Sequence, residues 1–447
     1  MPNLRREMFE SIFPSRYLTF TIPNPTKPDG LLRFAVLDSP SPPTVSSVAQ
    51  ERSQVAALFV PKGRESDWIF STESGHLQLL YNFVPPILRL IVVGENDISG
   101  QGRRTACVYI PNETSVIQTL VDSLSPFFML LSPKVIDDDC KVHDVSVVDY
   151  EDRLVSSLVL ERCVGDFVGE MLVEDVEIET AKGSVGEPRT TEFRRRLRFK
   201  RMPNLVQTEI RIVSGPEERW KFTIDLEHLA YLVPMVAAIS LIGEWIDYLM
   251  QGGFKPKGLC LGVGGGALPC FLSSRLGFEV VGVEIDQEVV RIATEYFGLG
   301  ECGIRVCIAE ALEFVTDFPK RNPGVNFDVV ILDLDCSDPG ASSCAPPSEF
   351  ATENFLMAAR AILSASGIFA VNVIAVYPQF LDSLIIEFRK VFDELHKIDV
   401  DDTEHVVLVA KMITGIPSVQ PKGDSAFVET LRDSISGKYL DSIRKIC

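Results

Sequence analysis

The spacing of apolar residues changes once along this chain. From about residue 30 to 222 they come in short runs, LLRFAVLD, AALFVP, LRLIVVG, ACVYIP and VSSLVLERC, divided by clusters of Pro, Ser, Asp and Gly. Short apolar runs between turn-forming residues predict β-strands. Helical spacing is sparse there, SVIQTLVDSLSPFFMLL around residues 115 to 131 being the exception. FRRRLRFKR at 193–201 alternates Arg with apolar residues, which predicts a half-exposed strand rather than a nucleic-acid patch. NLVQTEIRIVSGPEERWKFTIDL then predicts a hairpin turning at Ser214, Gly215 and Pro216.

After residue 225 strands alternate with helices, which predicts βαβ units and a parallel sheet. A strand from Gly258 to Val263 runs into a glycine loop, and a helix starts near Leu268 with Pro269 in its first turn. FEVVGVE ends at Glu284, IRVCIA at Glu310 before ALEFVTDF, and FDVVILDLD delivers Asp333 and Asp335. A helix from about Ser348 to Leu363, the strand GIFAVNVIA and a helix around Gln379 to Phe392 follow. KIDV and HVVLVAK then form the antiparallel closing pair of a seven-stranded sheet. The expected architecture is α/β: a β-rich α+β domain over 1–222, suited to substrate binding, then a Rossmann-like domain over 223–447.

The glycine loop carries the candidate chemistry. Gly262, Val263, Gly264, Gly265 and Gly266 lead from strand to helix, and Glu284, followed by Ile285, lies 18 residues beyond Gly266. A nucleotide bound at that first crossover needs bare backbone at a helix start and an acid at the next strand's end for ribose hydroxyls. A dinucleotide site prefers G-x-G-x-x-G, which GVGGGALP does not complete. The later acids favour S-adenosyl-L-methionine over a nicotinamide: Glu310, beside Ala311, can accept from an adenine amino group, and Asp333 can face a methionyl amine. Each acid taken alone also suits a strand-end cap. Asp335 and Asp333, backed by Asp338, are the candidates to orient a substrate amine and receive its proton through water.

Composition narrows the partners. The 447 residues are 46% hydrophobic and 23% charged, with a net charge of -19, an ordinary globular balance that argues against nucleic acid and anionic membrane. Basic protein or amine partners remain open. HLAYLVPMVAAISLIGEWI from His228, interrupted by Pro234 and bearing Glu244, predicts a buried helix rather than a membrane span. The start MPNLRREMFESIF lacks a signal-peptide pattern, so a cytoplasmic location is expected. Ten cysteines without CxxC pairing read as reduced core thiols, and neither they nor the five dispersed histidines predict a metal site.

FDVVILDLDCSDPGASSCAPPSEF resembles the spermidine-synthase-like class I methyltransferases, in which an Asp-rich loop ending in Asp-Pro gates the substrate pocket. ALFVPKGRESDWIFSTESG, GDFVGEMLVEDVE and FRRRLRFKRMPNLVQTEIRIV extend the likeness. With them the chain is most similar to the C-terminal half of the methyltransferase-like 13 family, the dual lysine and N-terminal methyltransferases of translation elongation factor 1-alpha. The resemblance implies a class I methyltransferase domain, S-adenosyl-L-methionine as cofactor and a protein amine as substrate. The family carries a further N-terminal methyltransferase domain credited with lysine methylation, whereas this chain has one cofactor motif. What is implied here is methylation of the elongation factor's N-terminal α-amine. Two other readings stand beside it. An aminopropyltransferase would share the fold, but such enzymes place Asp directly after the glycine run, where Ala267 stands. A non-catalytic scaffold would have no need of the acids at three strand ends.

Overall fold

The computed structural model describes residues 5–40, 55–83, 86–96, 106–109, 114–133, 145–150, 152–180, 190–214, 220–223, 232–336, 343–375, 378–400, 405–412, 425–435 and 437–446. Two compact units interleave along the chain. The first takes Met1–Leu160, Glu174–Phe193 and Met202–Leu205, the second Glu161–Val173, Arg194–Arg201 and Val206–Cys447. The change of texture near 222 predicts one boundary; the long run of the second unit instead begins at Val206, and the unit also takes two earlier segments. Polar contacts tie them there: Arg291 pairs with Glu161, and Asp286 accepts from the backbone of Phe167 and Val168.

The first unit opens with β1 (Tyr17–Pro23), β2 (Leu31–Asp38), β3 (Val55–Phe59), α1 (Trp68–Ser71), α2 (Glu73–Tyr81) and β4 (Arg89–Glu95). After β5 (Ala106–Val108) come α3 (Thr114–Leu131) and β6 (Ser146–Val148). Its sheet runs β1-β2-β4-β3-β6, with β3 parallel to both β4 and β6. Every residue of β3 is buried. Ala57 and Phe59 pack with Leu124 and Phe128 of α3, while Ala56 and Leu58 face the cluster holding Ile69, Phe70, Leu79 and Leu80. A strand covered on both faces reads as continuous apolar sequence, which explains AALFVP. The sequence pattern marks only α3 as a helix in this half, because α1 and α2 are too short to show a period. Side-chain caps start them instead: Ile69 N–H donates to Asp67, and Gly75 N–H to Thr72.

One cation anchors this unit. Arg89 is fully buried, its Nε donating to Asp38 Oδ1 (2.6 Å) and its guanidinium to the carbonyls of Phe9 (2.9 Å), Ser11 (3.1 Å) and Leu131. Arg16 adds a second cation to Asp38 at 2.8 Å.

A second sheet, ordered β11-β10-β9-β8-β7-β5, contains β7 (Leu154–Gly165), β8 (Gly169–Glu179), β9 (Thr191–Phe199), β10 (Val206–Ser214) and β11 (Trp220–Thr223). The arginine-rich segment is β9, and β10 pairs antiparallel with β11, as the hairpin pattern predicts.

The second unit continues with α4 (Leu232–Ala237), α5 (Gly243–Gln251), β12 (Lys257–Leu261), α6 (Ala267–Ser274), β13 (Glu279–Glu284) and α7 (Gln287–Tyr296). There follow β14 (Arg305–Ile308), α8 (Ala311–Arg321), β15 (Phe327–Leu332), β16 (Ser343–Ala345), α9 (Glu353–Ala361) and β17 (Leu363–Ala375). The last elements are α10 (Pro378–Val391), β18 (Glu394–Asp399), β19 (His405–Lys411), α11 (Ala426–Ser434), α12 (Gly437–Asp441) and β20 (Arg444–Lys445). Its sheet has nine strands, ordered β14-β13-β12-β15-β17-β19-β18-β20, with β16 on β17. The seven expected strands are present, and the short β16 and β20 add two.

Strands β12 to β15 and β17 are parallel neighbours, and β19 runs antiparallel to both β17 and β18. Side chains alternate between two cores. Val329 and Ile331 face one side with Ile239, Phe271 and Leu272, while Val330 and Leu332 face the other with Val315, Phe355 and Phe388. Leu232–Gln251 is the one stretch among the described residues long and apolar enough to cross a membrane, and 61% of it is buried. Val233, Val236, Ile239 and Ile246 within it belong to the first of these cores.

The structure corrects the reading of all cysteines as reduced: Cys270 on α6 and Cys302 are joined as a disulfide, Cα to Cα 5.3 Å. A pair separated by 32 residues lies outside any short spacing motif.

Replacing Arg89 by Met leaves Asp38 buried with Arg16 as its remaining cation. Urea unfolding should show a loss of about 3–5 kcal/mol, the cost of removing one partner of a buried pair.

Candidate active site

The site lies at the carboxyl ends of β13, β12, β15 and β17, where open α/β sheets bind ligands. β12 stops at Leu261 because the chain turns through left-handed backbone at Gly262 (φ 90°), Gly264 and Gly266. At Gly262 no side chain fits: a Cβ would sit 2.2 Å from the carbonyl oxygen of Asp333. At Gly265 a Cβ would lie 2.6 Å from Thr208 Cγ2. The loop ends where Gly266 N–H donates to Val263 O (2.9 Å) and α6 begins at Ala267, with Pro269 in its first turn as expected.

Thr208 of β10 was not among the candidates read from sequence. Its hydroxyl accepts from Gly265 N–H at 2.8 Å and donates to the Gln207 carbonyl at 2.7 Å, in a position 3% exposed. A threonine on an amphipathic strand carries no local signal for that partner.

Glu284 ends β13 as predicted, and its carboxylate is turned back onto the loop. Oε2 accepts from Val263 N–H (3.1 Å), and Oε1 from Ile285 N–H (3.0 Å) and Asp286 N–H (3.2 Å). Burial pushes this carboxyl up, against the opposing pull of backbone N–H groups at Val263, Asp286, Gly264 and Ile285. With roughly four lone-pair sites on a carboxylate, acceptor capacity remains for a ligand hydroxyl. Asp286, buried and also absent from the candidates, caps α7 through Glu288 N–H (3.0 Å). Its Oδ2 takes Phe167 N–H (2.8 Å) and Val168 N–H (3.0 Å), which holds the β7–β8 turn.

Glu310 stands at the start of α8, where the sequence leaves both an adenine acceptor and a strand-end cap open. It is the N-cap of α8, its oxygens accepting from Leu312 N–H (2.9 Å) and Glu313 N–H (2.7 Å), with Ala311 buried as the first helical residue. The capping reading of a strand-end acid holds here, and any amino group would have to share an occupied carboxylate.

At the end of β15, Asp333 N–H continues the strand to Leu261 O (2.9 Å), and its Oδ1 accepts from Asn372 Nδ2 (2.9 Å). Burial raises its carboxyl to about 6, with Asn372 opposing and Asp335 adding to the rise. Asn372 of β17, 4% exposed, in turn contacts His405 Nε2 through its Oδ1, so a three-residue chain backs Asp333. Neither Asn372 nor His405 was singled out from sequence, since both sit inside apolar strands.

Asp335 is paired already. Arg201 Nη2 donates to its Oδ1 at 2.7 Å and Gln207 Nε2 to its Oδ2 at 3.2 Å. Burial pushes this carboxyl up, and Arg201 opposes. Asp338 lies outside the described residues.

One group of possible metal donors appears among the described residues, Glu161, Cys163 and Glu288 within 4.8 Å of one another. Arg291 already bonds both carboxylates at 2.6 Å.

No family model matches the chain. It is 25% identical over 408 residues to the eEF1A lysine and N-terminal methyltransferase of Bos taurus, covering 84% of this chain and 53% of that protein. The chain is a homologue of the eEF1A lysine and N-terminal methyltransferases. It spans about half the length of the curated relatives it matches. Similar solved structures include human methyltransferase-like protein 13 in complex with SAH, at 24% identity and a TM-score of 0.39, covering 46% of this chain and 90% of that one. A probable spermidine synthase from Corynebacterium glutamicum is 14% identical with a TM-score of 0.40, covering 64% of this chain and 89% of that one.

Two measurements test this geometry. Thr208→Val leaves a buried N–H at Gly265 unsatisfied and should cost about 1–3 kcal/mol in denaturant unfolding. Asp333 should make stability pH-dependent. Its carboxyl is raised in the folded state, so the folded protein holds the proton more tightly and the stabilisation is complete below pH about 4. That contribution is lost as pH rises through about 6, and Asp333→Asn should flatten unfolding free energy across this window.

Proposed function

We propose that this chain is an S-adenosyl-L-methionine-dependent protein N-methyltransferase whose substrate is the N-terminal α-amine of translation elongation factor 1-alpha. The observation that carries the reading is the set of groups at adjoining strand ends: a loop over Gly262–Gly266 in which four of five residues are glycine, Glu284 at the end of the strand on one side of β12 and Asp333 at the end of the strand on the other. The homology to methyltransferases of that elongation factor supports the substrate.

The residues present fit the cofactor. Backbone without Cβ atoms allows close approach of a nucleoside, Glu284 keeps acceptor capacity for ribose hydroxyls, and a carboxylate at Asp333 suits an ammonium group. Val263 and Ile285 contribute the backbone N–H groups that aim Glu284. Glu310 and Ala311 begin α8 beside the adenine position this arrangement implies. When bound, the cofactor supplies a methyl group activated as a sulfonium.

The chain's own task is to hold a neutral amine in line and keep competing water away. Asp335, with Asp333 behind it, orients the amine through its remaining lone pairs and passes a proton to water. Asp338 is assigned the same supporting part from sequence. An α-amine with a pKa of about 7.7–8.0 is neutral in about one molecule in ten at pH 7, so a site without a strong dedicated base can use it. The cytoplasm is the compartment where such a substrate is made.

Glu284→Ala should weaken cofactor affinity roughly ten- to hundredfold in calorimetry, equivalent to about 1.5–3 kcal/mol; unchanged affinity removes Glu284 from the site. Asp335→Asn should lower turnover far more than cofactor affinity, since the amide keeps size but has fewer acceptor lone pairs for the amine and leaves Arg201 without its counter-ion. For the substrate, peptide mass spectrometry after reaction should place the methyl group on the first residue, and prior acetylation of that amine should abolish it. Label on internal lysines overturns the α-amine assignment, and product from decarboxylated cofactor with putrescine would replace it with aminopropyl transfer.

A further inference from the structure

The Asp335 carboxylate is the amine acceptor of the proposed reaction, yet its oxygens already carry Arg201 at 2.7 Å and Gln207 at 3.2 Å. Arg201 follows β9, its guanidinium 5.1 Å from the centre of the Phe199 ring and its side chain 20% exposed. Its Nε is buried and has no hydrogen-bond partner among the described residues, so the guanidinium is held mainly by that ring and by Asp335. A lone carboxylate beside a bound amine favours the ammonium form, which has no lone pair and cannot accept a methyl group. A carboxylate–guanidinium pair has no net charge, while the carboxylate keeps spare lone pairs for an N–H donor.

We propose that Arg201 is a specificity-determining residue: by neutralising Asp335 it fits the site to an amine that is neutral near pH 7, an N-terminal α-amine, and denies a lysine ammonium its counter-ion. This deepens the proposed function and rests on it. In the step concerned, the lone pair of the neutral amine forms the N–C bond, the S–C bond breaks with its electron pair remaining on sulfur, and the methylated nitrogen then loses a proton to water.

Other titratable groups lie around Asp335. Asp333, on the same segment, is raised to about 6 and is mostly ionised near pH 7; its charge is the one assigned to the cofactor's ammonium. The Cys344 thiol, beside β17, is pushed up to about 11 by burial, with Cys336 and Asp335 adding, and is uncharged near neutrality. Arg201 is the cation that opposes the burial of Asp335.

The test compares wild type, Arg201→Gln and Arg201→Lys with two synthetic peptides. One has a free N-terminal glycine and no lysine, and the other has an acetylated N-terminus and one lysine. Calorimetry at pH 7 should show Arg201→Gln binding the acetylated lysine peptide about tenfold or more tighter than wild type. The pH of half-maximal methylation of the free-glycine peptide should rise by about 1–2 units, the size of a nearby opposite charge's effect. Arg201→Lys should return both toward wild type. A folded Arg201→Gln protein with wild-type peptide preference and an unshifted pH profile overturns the proposal. Should Arg201→Gln fail to fold, Arg201→Gln combined with Asp335→Asn removes both charges and should bind the lysine peptide no more tightly than wild type; tighter binding overturns it equally. A wild type that methylates neither peptide sinks the proposed function, while the calorimetric comparison still decides what Arg201 does to an ammonium.

Discussion

The backbone of Gly262 lies against the carbonyl of Asp333, so closely that a single added carbon would stand 2.2 Å from the oxygen. Most of the site depends on that approach. It brings the end of β12 onto the end of β15, where Asp333 N–H completes a bond to Leu261. Only then do the glycine loop, Glu284 and the two aspartates open onto one rim. A side chain at position 262 would have to separate the strands or abandon the left-handed turn, and either outcome moves the acids away from the loop.

The second requirement is that carboxylates stay at this rim despite partial burial. Each does so by a different route. Glu284 leans on three backbone N–H groups, Asp286 on three, Asp333 on Asn372, and Asp335 on a guanidinium and an amide. Amide donors leave the charge in place, whereas Arg201 cancels it. The carboxylate nearest to proposed substrate chemistry is thus the one whose field is neutralised, and those assigned to a cofactor keep theirs. Burying charge is costly unless such partners exist, so these donors are as much part of the site as the acids.

Much of the second unit was legible because its strands are apolar on both faces and end at acids or glycines. GLCLGVGGG, FEVVGVE and FDVVILDLD each announce a buried parallel strand and its functional end within a few residues. The first unit was harder. Its β3 has the same double-sided burial, but α1 and α2, started by Asp67 and Thr72, are too short to show a period, so only α3 was legible as a helix.

Sequence by itself determined where backbone must be bare, where strands stop and which acids stand at their ends, since each of these is set by neighbouring residues. Tertiary structure alone decided what those acids touch. Glu310 spends both oxygens on a helix cap, while Thr208, Asn372 and Arg201 reach the site from distant segments. Cys270 finds Cys302 across 32 residues. Such pairings arise from the crossing of strands that pack for hydrophobic reasons, and no local pattern records the side chain that the crossing will bring.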